Sequence, residues 1–177
     1  ASPMACLQSN LPLATYGLKV VWADIDPKTG TLDPSSVEKK ITSKTKAIIH
    51  NHYCGYPGYV DEINKIGKRK EIFVIDDCIE AFGSQYKDRK MGNLGTDVTL
   101  FSFQTVRFPN TIEGGAIVFK DKSLFQKAIL CRDLGIDRPH FRDQNGEIST
   151  QCDISSLGIA AMTPEINSYL GCIQMKN

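Results

Sequence analysis

Lys46-Ala47-Ile48-Ile49-His50 is a run of branched apolar residues that reads as a strand, and a Gly/Pro loop, Gly55-Tyr56-Pro57-Gly58, follows it. Val60 to Lys70 then places apolar residues at 60, 63 and 66, the spacing of an amphipathic helix. Glu71-Ile72-Phe73-Val74-Ile75 closes the stretch as a continuous apolar run, the pattern of a strand buried on both faces. Strand, helix and strand joined by short links predict a right-handed crossover and a parallel sheet. Upstream, Leu18 to Ala23 reads as a further strand, ended by Asp24-Ile25-Asp26-Pro27 and a Thr29-Gly30 turn, and Pro34 opens a helix over Ser35 to Ile41. Strands 18–23, 46–50 and 71–75 are therefore expected to pair in parallel, with Asp77 at a carboxyl end.

Downstream, Lys87-Asp88-Arg89-Lys90 signals a hairpin, and strands follow at Thr99 to Phe103 and Gly115 to Phe119. Ser123 to Leu134 reads as a helix with Ser123 as cap and Gly135 as stop. Residues 137–153 are polar and turn-rich, a mobile loop by composition, and Pro164 to Met175 looks helical. The expected fold is α/β and three-layered, with a mainly parallel central sheet.

Composition narrows the function. The 177 residues carry 21 Lys+Arg against 20 Asp+Glu, a formal net charge of +1, which gives no general field for nucleic acid or an anionic membrane. Hydrophobic residues make up 41% and charged residues 23%, the balance of a folded globular domain. No apolar run approaches the ~20 residues that span a bilayer. Six cysteines, at 6, 54, 78, 131, 152 and 172, show no CxxC pair and wide spacings. Cys78 and Cys131 lie in apolar runs and are read as small buried hydrophobes of a cytoplasmic, reducing compartment. His50, His52 and Cys54 alternate on one strand face; zinc would need a fourth group that nothing obvious supplies, so they are read as strand-end packing and no metal site is assigned.

Chemistry on an open parallel sheet belongs at the carboxyl ends of the strands. Asp76-Asp77, Ser102 to Arg107 and Glu113-Gly114-Gly115 lie there. No dinucleotide fingerprint, phosphate loop or nucleophile elbow occurs. The acidic pair suits a metal or a cationic nitrogen; equally, Asp77 would cap a helix starting at Ile79.

Val74-Ile75-Asp76-Asp77-Cys78-Ile79-Glu80-Ala81-Phe82-Gly83-Ser84, then Tyr86 to Gly95, Phe101-Ser102-Phe103 and Asn110-Thr111-Ile112-Glu113-Gly114-Gly115-Ala116 together resemble the DegT/DnrJ/StrS-type sugar aminotransferases. Trp22 to Pro27, Thr45 to Ile49 and Gly135-Ile136-Asp137-Arg138 match in the same order, so the resemblance covers nearly the whole chain. It implies a fold-type-I enzyme that uses pyridoxal 5′-phosphate (PLP), or its pyridoxamine form, on a nucleotide-linked keto-sugar in amino-sugar and polysaccharide biosynthesis. It also implies a homodimer with its sites at the subunit interface. By position Asp77 would pair with the pyridine nitrogen, so that the protonated ring acts as an electron sink. Glu80 falls near the cofactor's phenolic oxygen. Ser102, with Gln104 beside it, falls on the phosphate. Asn110 and Asp133 fall where one subunit reaches the partner's site.

The departures from that pattern are chemical. The family's Schiff-base lysine lies five residues after the serine, and that position holds Arg107. Arginine, with a pKa above ~12, has no free amine to offer. A sugar 3-dehydratase branch carries His there, which Arg107 does not match either. Asp133 stands where many members carry Asn and would repel a phosphate. The chain is thus read as 1–177 of a large domain, without the upstream phosphate cradle and the C-terminal small domain. The expectation is a degenerate member that binds cofactor weakly or not at all and lacks independent catalysis. The alternative is a fragment of an active aminotransferase or a related PLP-dependent sugar-modifying enzyme.

Overall fold

A computed structural model describes residues 1–154 and 156–176. The sheet is built from β1 (Ala47–Asn51), β2 (Phe73–Asp77), β5 (Val98–Ser102) and β6 (Gly115–Phe119), in that spatial order. β1 to β2 and β2 to β5 are parallel, and β6 returns antiparallel on β5. The β1–β2 register sets His50 beside Asp76 and Asn51 beside Asp77. The crossover helix α3 (Val60–Lys70) has the predicted bounds and packs on β1 and β2. It buries Val60, Ile63 and Ile66, the three positions of its apolar stripe, and Lys68, Arg69 and Lys70 complement the helix dipole in its last turn.

α2 (Pro34–Lys40) lies against α3; Asp33 caps it by accepting from the Ser35 N–H at 2.8 Å, and proline takes the first turn. Ala23, Leu32, Val37, Ile48, Ile63, Ile66, Ile72 and Val74 form one core between these helices and the sheet. A second cluster, Val60, Cys78, Ala81, Met91 and Leu94, sits under the loops that follow β2. The hairpin is β3 (Gln85–Tyr86) with β4 (Arg89–Lys90), and Lys87 and Asp88 both take positive φ, as a two-residue loop demands.

Three expectations fail, and one helix goes unforeseen. Residues 18–23 form no strand: Leu18 N–H donates to the Leu13 carbonyl, the Ala1 amino group donates to the Val21 carbonyl, and Ala23 N–H donates to the Ala1 carbonyl. An apolar cleft of about 450 Å³ separates this segment from β1, so no ladder forms despite its β-favouring sequence. Leu7–Thr15 forms α1, which the sequence pattern did not signal because Pro12 sits inside it and the apolar spacing is weak. α4 (Lys122–Arg132) is capped by Asp121, which accepts from Leu124 N–H at 2.8 Å, while Ser123 only donates to the Asp121 carboxylate. Cys131, on α4, is exposed, whereas Cys78 is fully buried as expected. The 137–153 segment contains a short 3₁₀ turn at Arg138–His140 and an Arg142–Ile148 bridge, and α5 (Glu165–Gln174) follows it.

Candidate functional site

The carboxyl ends of β2 and β5 gather most of the predicted residues. Asp77 ends β2 opposite Leu100 of β5 and is almost fully buried. Its Oδ2 accepts from Asn51 Nδ2 at 3.0 Å, and its Oδ1 accepts from the Ile79 N–H at 3.3 Å. No helix starts at Ile79; residues 78–84 turn instead, so Asp77 is the acceptor of a local turn rather than a helix cap. The carboxylate is thereby held in one orientation by a neighbouring strand and by its own loop.

Glu80 and Arg107 are bonded to each other. Arg107 Nη1 donates to Glu80 Oε1 at 3.0 Å, with the two side chains 21% and 30% exposed. Glu80 Oε2 accepts from the Cys54 backbone N–H at 2.8 Å, and Ser84 Oγ donates to the Gly55 carbonyl at 2.7 Å. Glu80 thus ties the turn at Tyr53–Gly55 to the loop after β5 through both its oxygens. The Arg107 Nε is buried without a hydrogen-bond partner. Ser102 lies opposite Gly115 at the end of β5, and its Oγ accepts from the Gln104 N–H at 3.4 Å. A side chain on Gly115 would meet the Phe101 carbonyl oxygen at 2.7 Å, which is why glycine stands beside the serine.

Two predicted residues are engaged elsewhere. The Asn110 backbone exchanges hydrogen bonds with the Gln174 side chain of α5, both at 2.7 Å, and Asn110 Oδ1 accepts from Ile112 N–H. Asp133 is buried at the end of α4, where Arg132 donates to it through Nε and Nη2, each at 3.0 Å. That hydrogen-bonded guanidinium holds the Asp133 carboxyl below the usual carboxylate range. The expected bare charge facing a phosphate is instead a paired one.

A cluster unforeseen from sequence lies just beneath. His50, His52 and Asp76 are all fully buried; His50 Nδ1 and His52 Nε2 stand 3.5 and 3.1 Å from Asp76 Oδ1. Cys54, grouped with the histidines by alternation, has left their face because it sits in the following turn at φ +53°. Gly58 N–H donates to His52 Nδ1 at 3.1 Å, which puts the neutral ring's proton on Nε2, facing Asp76. A proton there presents no lone pair to a cation, so the trio is read as a close-packed polar cluster about the Asp76 carboxylate, in which His50 Nδ1, His52 Nε2 and Asp76 Oδ1 approach one another without a well-directed hydrogen bond. Thr96 Oγ1 donates to Asp76 Oδ2 at 2.6 Å and in turn accepts from Asn64 Nδ2. Burial alone would raise the Asp76 pKa, but the adjacent His50 and His52 rings outweigh it and hold the carboxyl well below its ordinary range. Burial pushes the His50 pKa down, against the pull of Asp76. The signal available in the sequence was register: two parallel strands of equal length bring His50 level with Asp76.

Among the described residues, no helix is long and apolar enough to cross a membrane. The chain is similar to several known proteins. The family model described as DegT/DnrJ/EryC1/StrS aminotransferase matches residues 4–177. The GDP-perosamine synthase of Escherichia coli O157:H7 is 35% identical over 149 residues, 82% of this chain and 41% of that protein. An uncharacterised protein of Methanocaldococcus jannaschii is 35% identical over 158 residues, 89% of this chain and again 41% of its relative. The chain therefore spans about two fifths of the length of these relatives. Among solved structures, PseC of Helicobacter pylori, an aminotransferase involved in the biosynthesis of pseudoaminic acid, matches with a TM-score of 0.89 and 30% identity over 99% of this chain and 44% of its own. The sugar aminotransferase CalS13 of Micromonospora echinospora gives a TM-score of 0.90 and 27% identity, over 99% of this chain and 48% of its own. Matched by the family model over residues 4–177 and 35% identical to a relative over 82% of its own length, this chain belongs to the DegT/DnrJ/EryC1/StrS aminotransferase family.

Proposed function

We propose that this chain is a degenerate large-domain member of the nucleotide-sugar aminotransferases, with no transamination of its own. The observation that carries this reading is Arg107, which by resemblance falls at the position of the Schiff-base lysine and is bonded to Glu80. Tested against PLP, the pyridine side fits, because Asp77 is buried and oriented by Asn51. The amine side does not fit. Arg107 supplies a permanently protonated guanidinium where an unprotonated nitrogen is needed, so no step is routed through the cofactor here. Without a covalent link, PLP or pyridoxamine phosphate would be held by contacts such as those of Asp77, Ser102 and Gln104 and so be lost on dialysis.

Residues 1–177 are taken as part of the large domain, in a cytoplasmic homodimer. Exposed apolar residues near the chain's later elements support that assembly: Leu134, Ile154, Leu157, Ile166 and Tyr169. Light scattering at tens of micromolar should give a dimer, and a clean monomer would remove this part of the reading. The second reading, a piece of an active aminotransferase or related sugar-modifying enzyme, is favoured by the orientation of Asp77. Incubation with PLP, borohydride reduction and peptide mapping decide between them. The degenerate reading expects no pyridoxyl adduct; a reduced adduct on a native lysine, with amino transfer to a keto-sugar nucleotide, supports the active one.

A further inference from the structure

We infer that the cleft between residues 18–23 and the open edge of β1 is a strand-binding slot, which takes about four residues of extended apolar peptide lying parallel to β1 and ending at Ala1. None of the slot's lining residues belongs to the strand-end site around Asp77. One wall is an unpaired edge. β1 is the outer strand of the four and is hydrogen-bonded to β2 alone. His52 N–H donates to the Asp77 carbonyl at 3.1 Å, so residues 48, 50 and 52 address β2 and the backbone groups of Ala47 and Ile49 point the other way. Those groups have no hydrogen-bond partner among the described residues, although Ile49 is only 7% exposed. A further strand would satisfy them and recover the cost of leaving them bare.

The opposite wall already carries one rung. The Ala1 amino group donates to the Val21 carbonyl at 3.0 Å and Ala23 N–H donates to the Ala1 carbonyl at 3.1 Å, the bond pattern of a parallel pair. The connection from this wall through α2 to β1 is a crossover, which sets the two walls running the same way. Backbone continued in line from Ala1 toward Leu18 passes through the cleft, between Leu18–Val21 and Ala47–Ile49. Four extended residues span ~13 Å, the reach of that wall. Leu13, Val20, Val37 and Ile41 make the interior apolar, which suits branched apolar side chains. Lys19, Lys40, Lys44 and Lys46 also line it but are exposed, and their stems cover apolar chain while the ammonium groups stay in water.

The test supplies the strand covalently, because attachment raises its local concentration. Three proteins carry Val-Ile-Val-Val, Val-Pro-Val-Pro or Gly-Ser-Gly-Ser joined to Ala1 and are compared with the unextended chain by thermal melts and by amide hydrogen exchange at Ile49. The Val-Ile-Val-Val extension should raise the melting temperature by about 4 °C or more over Gly-Ser-Gly-Ser. It should also slow exchange of the Ile49 N–H at least about tenfold, at every protein concentration. Val-Pro-Val-Pro is as apolar but lacks two of the four donors, so it should recover less than half of the gain. Equal melting temperatures for Val-Ile-Val-Val and Gly-Ser-Gly-Ser would overturn the slot. Unchanged exchange at Ile49, or a full gain from the proline extension, would overturn the strand pairing. Protection that appears only as concentration rises would overturn the in-line path from Ala1.

Discussion

The half of the molecule around β1, β2 and α3 and the half around β6, α4 and α5 are built on opposite terms. In the first, Ile63, Val60, Val74 and Leu32 are almost wholly removed from water, and even the polar residues His50, His52 and Asp76 are enclosed. In the second, β6 buries none of its residues fully, α4 buries none, and Ile117, Phe125, Ile166 and Leu157 are exposed, Leu157 to 98%. Both halves have ordinary secondary structure and apolar sequence. The difference is that the first stripe is covered within the chain, whereas β6 and α4, though they meet through Phe119 and Phe125, leave much of their apolar surface open among the described residues. A helix or strand forms from local pattern, but its stability comes from what covers its apolar face.

The comparison breaks first at the buried cluster. Asp76→Ala should cost about 1–3 kcal/mol for each buried polar group it leaves without a partner, the Thr96 hydroxyl first. Denaturant unfolding measures it, and a loss below about 1 kcal/mol would mean the cluster is not the anchor of this half.

Core truncation comes next. Ile63→Ala should cost about 3 kcal/mol, against under about 1 for Ile117→Ala on the open strand β6. Equal losses would erase the contrast between the halves.

Acid sharpens the same contrast. His50 has a folded pKa below its ordinary 6.5, so the unfolded chain binds more protons below that pH and stability falls as pH falls. Asp76, with its pKa lowered from 3.8, adds a loss of the same sign below about that value. Each such proton contributes a slope of at most about 1.4 kcal/mol per pH unit. His50→Leu should flatten the limb between roughly pH 6.5 and 4.

Gly58→Ala should cost about 1–3 kcal/mol, since its Cβ would lie 2.3 Å from Thr31 Oγ1 and 2.6 Å from His50 Nε2. Leu157→Ser is the smallest effect: within about 0.5 kcal/mol on unfolding, yet with reduced self-association by light scattering. Unchanged association would remove Leu157 from the proposed dimer surface.

The sequence alone determined the α/β alternation, the bounds of α3, the position of Asp77 at a strand end and the absence of an amine at residue 107. Each of these depends on short-range pattern: the apolar spacing of Val60, Ile63 and Ile66, a branched run, or one residue's own chemistry. Only the tertiary structure decided that Arg107 meets Glu80, that Arg132 neutralises Asp133, and that His50 and His52 close on Asp76. It also decided that residues 18–23, though β-favouring, pair with Ala1 rather than with β1. Glu80 and Arg107 are 27 residues apart, and Asp76 lies on a different strand from the histidines. Strand register and loop path bring such groups together, and a ladder needs a neighbour at hydrogen-bonding distance; neither is encoded in the local spacing of residues.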